Sequence, residues 1–196
     1  MGMTANYKSI SPQVLALLRT NPDIVESFLV AVQTDDPGMS EAFCAKMEPM
    51  LKNQADEMRA YLVDDLEIFS TPDQQLILNS LDQPGISLDK TFRELQFHIA
   101  GEVSDSGRSV ASRSVSGGEQ FGPDLGYGPA KFLTVAETAD CSAALDRISD
   151  TDFLTRYRSD KWDAGVTRFC LGYFQALRAY YKQAAQAGFA MLVWGA

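Results

Sequence analysis

The apolar positions first mark a short strand, Asn6 to Ile10, which Ser11-Pro12 ends. Serine suits a helix N-cap and proline the first helical position. The pair therefore launches a helix with Val14, Leu15, Leu17 and Leu18 as its apolar positions. Asn21-Pro22 repeats the device ahead of a stripe of Ile24, Val25, Phe28, Leu29 and Val32, and Asp35-Asp36-Pro37-Gly38 reads as a turn. From Met39 to about Ser80, helical spacing shows at Met47, Leu51 and Met58 and breakers stand at Pro49 and Thr71-Pro72, so two or three short helices are expected.

The second half is clearer. Leu88, Phe92, Leu95 and Ile99 recur at helical spacing, and Gly101 can end that helix. A serine-rich stretch follows, with Ser104, Ser106, Ser109, Ser112, Ser114 and Ser116 and little apolar content; it predicts a flexible loop at about 103–116. Gly117 to Pro129 then packs five glycines and two prolines around a few large side chains, a composition that permits unusual backbone angles and suits a functional loop. Thr134 and Glu137 form a capping box that starts a helix through about Ile148, and Ser149 with Asp152 starts a shorter one. A wide stripe from Val166 to Ala184 defines the longest helix, which Gly188 stops. The wholly apolar run Phe189 to Trp194 predicts a strand buried on both faces. The expected fold is α+β: a mostly helical single domain, residues 1–196, around a small sheet that includes both termini.

Composition narrows the functions open to such a domain. With 196 residues and 45% hydrophobic content, the chain buries enough surface to need no metal or disulfide staple. A formal net charge of -9 excludes the basic footprint that nucleic acid requires and disfavours anionic lipid, while permitting a basic protein partner. Cys44, Cys141 and Cys170 are odd in number and far apart, as expected of reduced thiols that serve as small hydrophobes. No apolar leader opens the chain, and the run Phe189 to Trp194 is too short to span a bilayer, so the expected location is the cytoplasm.

Several motifs are similar to those of the YfbM-like bacterial family, a domain of unknown function. They are the opening Met1-Gly2-Met3-Thr4-Ala5-Asn6-Tyr7, the run Leu88-Asp89-Lys90-Thr91-Phe92, the segment Gly126-Tyr127-Gly128-Pro129-Ala130-Lys131-Phe132-Leu133, Ile148-Ser149-Asp150, and the closing Met191-Leu192-Val193-Trp194. The resemblance spans nearly the whole chain. It departs at two positions of one helix, where the family pattern often carries Trp and His and this chain has Phe92 and Gln96. It implies a fold and brings no reaction with it.

Candidate chemistry is sparse. His98 is the only histidine, which excludes His-rich zinc sites and leaves a single imidazole for any acid–base or nucleophilic role. A structural or solvated His98 is the simpler reading, with Glu94 four residues earlier as an ion-pair partner. The glycine-rich stretch matches neither phosphate-loop pattern, and Asp124 would repel a phosphate. It does present Glu119, Asp124 and Tyr127. These either surround a tight turn or form a recognition surface or pocket rim. Trp162 departs from every apolar stripe and is a candidate partner anchor, although satellite packing explains it as well. No cofactor and no metal is expected. The leading reading is a non-enzymatic, immunity- or inhibitor-like module that masks a basic protein. The alternative is a small-molecule-binding or hydrolase-like domain using Glu119, Asp124 and Tyr127, with His98 nearby.

Overall fold

The two ends of the chain meet in the middle of one sheet. The computed structural model describes residues 4–39, 41–100, 109–155 and 164–195. In chain order the elements are β1 (Ala5–Ile10), α1 (Pro12–Thr20), α2 (Val25–Ala31), β2 (Thr34–Asp35), α3 (Glu41–Asp65), α4 (Thr71–Ser80), β3 (Gly85–Ser87), α5 (Phe92–Ala100), α6 (Val110–Ser116), β4 (Glu119–Asp124), β5 (Pro129–Leu133), α7 (Val135–Asp146), α8 (Asp150–Thr155), α9 (Ala164–Gln186) and β6 (Ala190–Gly195). The six strands form one mixed sheet in the order β2-β3-β1-β6-β5-β4, antiparallel throughout except where β2 runs parallel to β3. The central pair is in full register from Ala5 opposite Gly195 to Ile10 opposite Ala190. This is the expected α+β fold with both terminal strands inside the sheet.

Alternation along the strands divides the core in two. Ala5, Tyr7, Met191, Val193 and Leu133 face a layer built from α5 to α9. Ile10, Leu192, Trp194, Ala130 and Phe132 face the opposite layer of α1 to α4. A sheet covered on both faces explains why β6 reads as an unbroken apolar run.

Local capping positions the helices as the sequence predicts. Ser11 Oγ accepts the Val14 N–H at 3.2 Å with Pro12 in the first turn. Thr134 and Glu137 complete the capping box of α7 in both directions. Ser149 and Asp152 do the same for α8, with the Asp152 N–H bonded to Ser149 Oγ at 3.0 Å.

Three expectations are corrected. The serine-rich stretch is not loop from residue 109 onward: it folds as α6, with Ser112, Ser114 and Val115 buried. Its serines bond their own surroundings, which makes them tolerable in a core. Ser109 Oγ caps the Ser112 N–H at 3.0 Å, Ser114 Oγ donates to the Ala111 carbonyl at 2.7 Å, and Gln96 Nε2 donates to Ser112 Oγ at 2.5 Å. The remainder of that predicted loop, 103–108, lies outside the described residues. The glycine-rich stretch is a β-hairpin, β4 and β5, with an irregularity between Phe121 and Asp124. And α3 continues through Pro49 instead of breaking there, because Pro49 sits at an exposed position where a missing N–H costs least.

Candidate functional site

The hairpin spreads its three predicted site residues instead of gathering them. Asp124 and Tyr127 occupy the tip. Asp124 Oδ1 accepts the N–H groups of Gly126 at 2.8 Å and Gly128 at 2.9 Å, an Asx turn that uses the carboxylate to hold the backbone. Tyr127 is half exposed. Glu119 pairs with Phe132 at the far end of the ladder, five residues and about 15 Å of strand from Asp124. It makes a long, exposed ion pair with Arg19 at 3.8 Å, a contact of small energetic value. Gly122 packs against Val25 of α2, so β4 seats on the α1–α4 side at that point.

His98 belongs to the opposite layer. Its ring is buried and stacks on Phe153 at 4.6 Å, and Phe153 stacks in turn on Phe174 at 4.6 Å. Nδ1–H donates to the Phe153 carbonyl at 3.3 Å. Burial pushes the imidazole below its ordinary value, and neither the carbonyl nor the Glu94 charge reverses this. His98 is therefore a core histidine of the α5–α9 layer, whereas Glu119 reaches Arg19 of α1 on the other face of the sheet. Trp162 lies outside the described residues.

The two described thiols are equally unsuited to chemistry. Cys141 and Cys170 are free and buried, and burial pushes them up to about 12 and about 11 respectively. Among the described residues no group of three His, Cys, Asp or Glu is placed to hold a metal ion. No described helix is long and apolar enough to cross a membrane. Two clefts open among the described residues, one of about 540 Å³ beside Phe97 and Arg147 and one of about 560 Å³ beside Tyr180 and Pro84. Neither is lined by Glu119, Asp124, Tyr127 or His98.

A different surface has the composition of a docking face. Along the C-terminal half of α3 and the 3-10 turn Leu66–Ile68, only Leu62 and Leu66 point fully into the core. Met50, Glu57, Tyr61 and Asp64 follow at intervals of seven, four and three residues, so they share one face of the helix. Tyr61 is 68% exposed and Ile68 67%, with Met50 and Val63 also exposed. Large apolar side chains this open along one helix face, as Met50 and Tyr61 are, mark interaction surfaces more often than isolated exposed leucines do, whereas Val63, two residues from Tyr61, points to a different face. From Asn53 to Ile68 the same segment carries Asp56, Glu57, Asp64, Asp65 and Glu67 against a single cation, Arg59. That guanidinium is engaged by Asp82 at 2.5 Å and by the Leu78 carbonyl at 3.1 Å. Sequence reasoning missed this face. Met50 and Tyr61 fall on the same helical stripe as Met47, Leu51, Met58 and Leu62, so the sequence reads them as core.

Comparison with known proteins agrees with the fold. A family model described as a domain of unknown function, DUF1877, matches residues 1–194. Among solved structures, that of a protein of unknown function, YfbM from Escherichia coli, is similar over 97% of this chain and 98% of that one, with a TM-score of 0.54 at 12% identity. At that identity the likeness concerns the fold alone. No curated protein matches the chain.

Proposed function

The chain belongs to the DUF1877 family, a domain of unknown function, and on that premise we propose that it is a cytoplasmic, non-enzymatic binding module that docks a basic protein on the exposed face of α3. Its sharpest form is an immunity- or inhibitor-like protein that masks a cationic surface. The observation that carries the reading is the exposed row of Met50, Tyr61 and Ile68 on a segment that also carries five carboxylates. Aromatic and aliphatic side chains supply the area that a partner desolvates, and the surrounding negative charge selects a positive partner and speeds encounter. Cys141 and Cys170, free and buried, suit a reducing compartment. The hairpin carboxylates do not support the enzymatic alternative, because one holds a turn and another is paired with Arg19.

Affinity capture from the host with the wild type and a Glu57→Lys/Tyr61→Ser/Asp64→Lys variant tests the reading, since all three positions are exposed and leave the core untouched. A basic protein retained by the wild type, weakened by added salt and lost by the variant supports it. Equal retention by both proteins, or retention of none, overturns it.

A further inference from the structure

A second site lies where the sheet is incomplete. The three-residue β3 pairs with β1 only at Asn6 and Tyr7, while β1 runs on to Ile10. Beyond Tyr7 the place of a neighbouring strand is taken by one side chain of α9. The Tyr180 hydroxyl accepts the Ser9 N–H at 2.9 Å and the Ser9 Oγ–H at 3.3 Å, and reaches the Pro84 carbonyl at 3.4 Å. The phenol thus stands in for a strand backbone on β1 and ties it to the chain entering β3.

The cleft of about 560 Å³ opens over this notch. Its volume lies within the range of small-molecule sites, roughly 300–1,000 Å³. One wall is the segment Gln83 to Ile86; the other is the last turn of α9, at Gln183 and Ala184, followed by Ala187 and Phe189. Asp35 of β2 contributes the only charge in the lining. No described cation makes an ion pair with it, and it lies close enough to Tyr180 to help hold that phenol protonated, second to burial and against the Ser9 bonds.

We propose that this cleft binds a small organic cation, an amine carried on an apolar body. The carboxylate of Asp35 supplies the counter-charge, and Tyr180 and Phe189 supply aromatic and apolar area. Pro84, Ile86, Ala184 and Ala187 give the cleft apolar area for the body of the ligand, while Ser9, Gln83 and Gln183 add neutral polar groups that do not compete with Asp35 for the charge. An anion is disfavoured twice, by Asp35 locally and by the net charge of -9 over the whole chain. The site is independent of the α3 face, so neither proposal depends on the other.

Phenethylamine is a suitable probe, with 2-phenylethanol as its neutral counterpart. Titration into isotope-labelled protein, followed by amide shifts, is expected to give saturable movement at Ser9, Gly85 and Ala187, and about tenfold weaker binding of the alcohol. Asp35→Asn, at an exposed edge position, is expected to lower amine affinity about tenfold and leave that of the alcohol unchanged. Ala187→Trp, which fills the cleft from an exposed position, is expected to abolish both. Equal affinity for amine and alcohol, or an Asp35→Asn variant that binds the amine as well as the wild type, overturns the cationic specificity. Absence of saturable shifts at the cleft amides overturns the site itself.

Discussion

The ammonium of Lys8 donates to the main-chain carbonyl of Gln83, across the sheet face that carries Ile10 and Leu192. Lys8 is fully buried on a central strand, with the Arg59–Asp82 pair as its nearest charged company. A lysine in that position is costly, because its charge is removed from water and only one carboxylate repays part of the loss. Burial pulls its pKa down to about 8; Asp82 opposes the change and Arg59 adds to it. The bond fixes the segment just before β3, which is also one wall of the notch at Tyr180.

A pH dependence follows. In the unfolded chain Lys8 titrates near 10.5, in the folded protein near 8. Below about pH 8 both states hold the proton, and the full penalty of the buried charge is felt. Between about 8 and 10.5 the folded state has released its proton and the unfolded state has not, so stability rises with pH. Wild type should gain about 3 kcal/mol over a Lys8→Met variant across that window, because each tenfold change in proton affinity between the two states is worth ~1.4 kcal/mol. Urea unfolding of the two proteins at several pH values measures the gap. A gap that stays constant would show that Lys8 does not titrate inside the fold.

His98 predicts a loss of stability on the acid side. Its folded pKa lies below 6.5 because the ring is buried against Phe153. As pH falls through about 6.5 the unfolded state takes up the proton first, and stability is lost. The stability advantage of the wild type over His98→Gln should therefore shrink from about pH 7 to about pH 5. A widening gap would mean that the imidazolium has a partner in the fold and would reverse the assignment. The same variant bears on function, since a core histidine predicts that partner binding survives the substitution at neutral pH.

What could be read from the sequence is what local chemistry decides. Ser11-Pro12, the Thr134–Glu137 box and the run Phe189 to Trp194 each specify an element from a few neighbouring residues, and the fold carries each of those elements there. Long-range pairing escaped. Strands β2 and β3, two and three residues long, have no periodicity of their own; β3 exists because β1 lies beside it, and β2 because β3 does. The six serines of 104–116 suggested solvent, yet Gln96 and the backbone of α6 make Ser112 and Ser114 acceptable inside. Gly122 and Pro123 hid β4 by interrupting its alternation. Lys8 carried no warning at all, because a lysine in a strand ordinarily signals an outward face. The two candidate sites were illegible for a related reason. Tyr61 and Ile68 look like core residues until the helix is placed, and the notch draws Ser9, Asp35, Pro84 and Tyr180 from four distant segments.

Two glycines of the hairpin separate strain from crowding. Gly128 has φ of +91° with nothing within 4 Å of the position a Cβ would take, whereas Gly122, at φ +76°, would place a Cβ 3.0 Å from Val25. Gly128→Ala should cost about 1 kcal/mol, the strain of an L-residue in a left-handed conformation. Gly122→Ala should cost about 2–4 kcal/mol, because overpacking against α2 adds to the same strain. Thermal or urea unfolding ranks the two. Equal costs would mean that Val25 yields freely and that the hairpin is only loosely seated on α2.

The thiols provide a probe of how firmly the α5–α9 layer is closed. Cys141 and Cys170 are both fully buried in that layer, and burial raises both well above the ordinary thiol value. At about pH 8 the thiolate fraction of each is lower than in the unfolded chain by on the order of a hundredfold or more, before access to reagent is considered. In a Cys44→Ser background, an aromatic disulfide reagent should leave the native protein unlabelled over the time in which denatured protein releases two equivalents. Labelling that does occur should follow the opening of the layer and accelerate in step with destabilising variants such as Gly122→Ala only if the two layers unfold together. Rapid native labelling of either thiol would place it at the surface and restore it as a candidate reactive group.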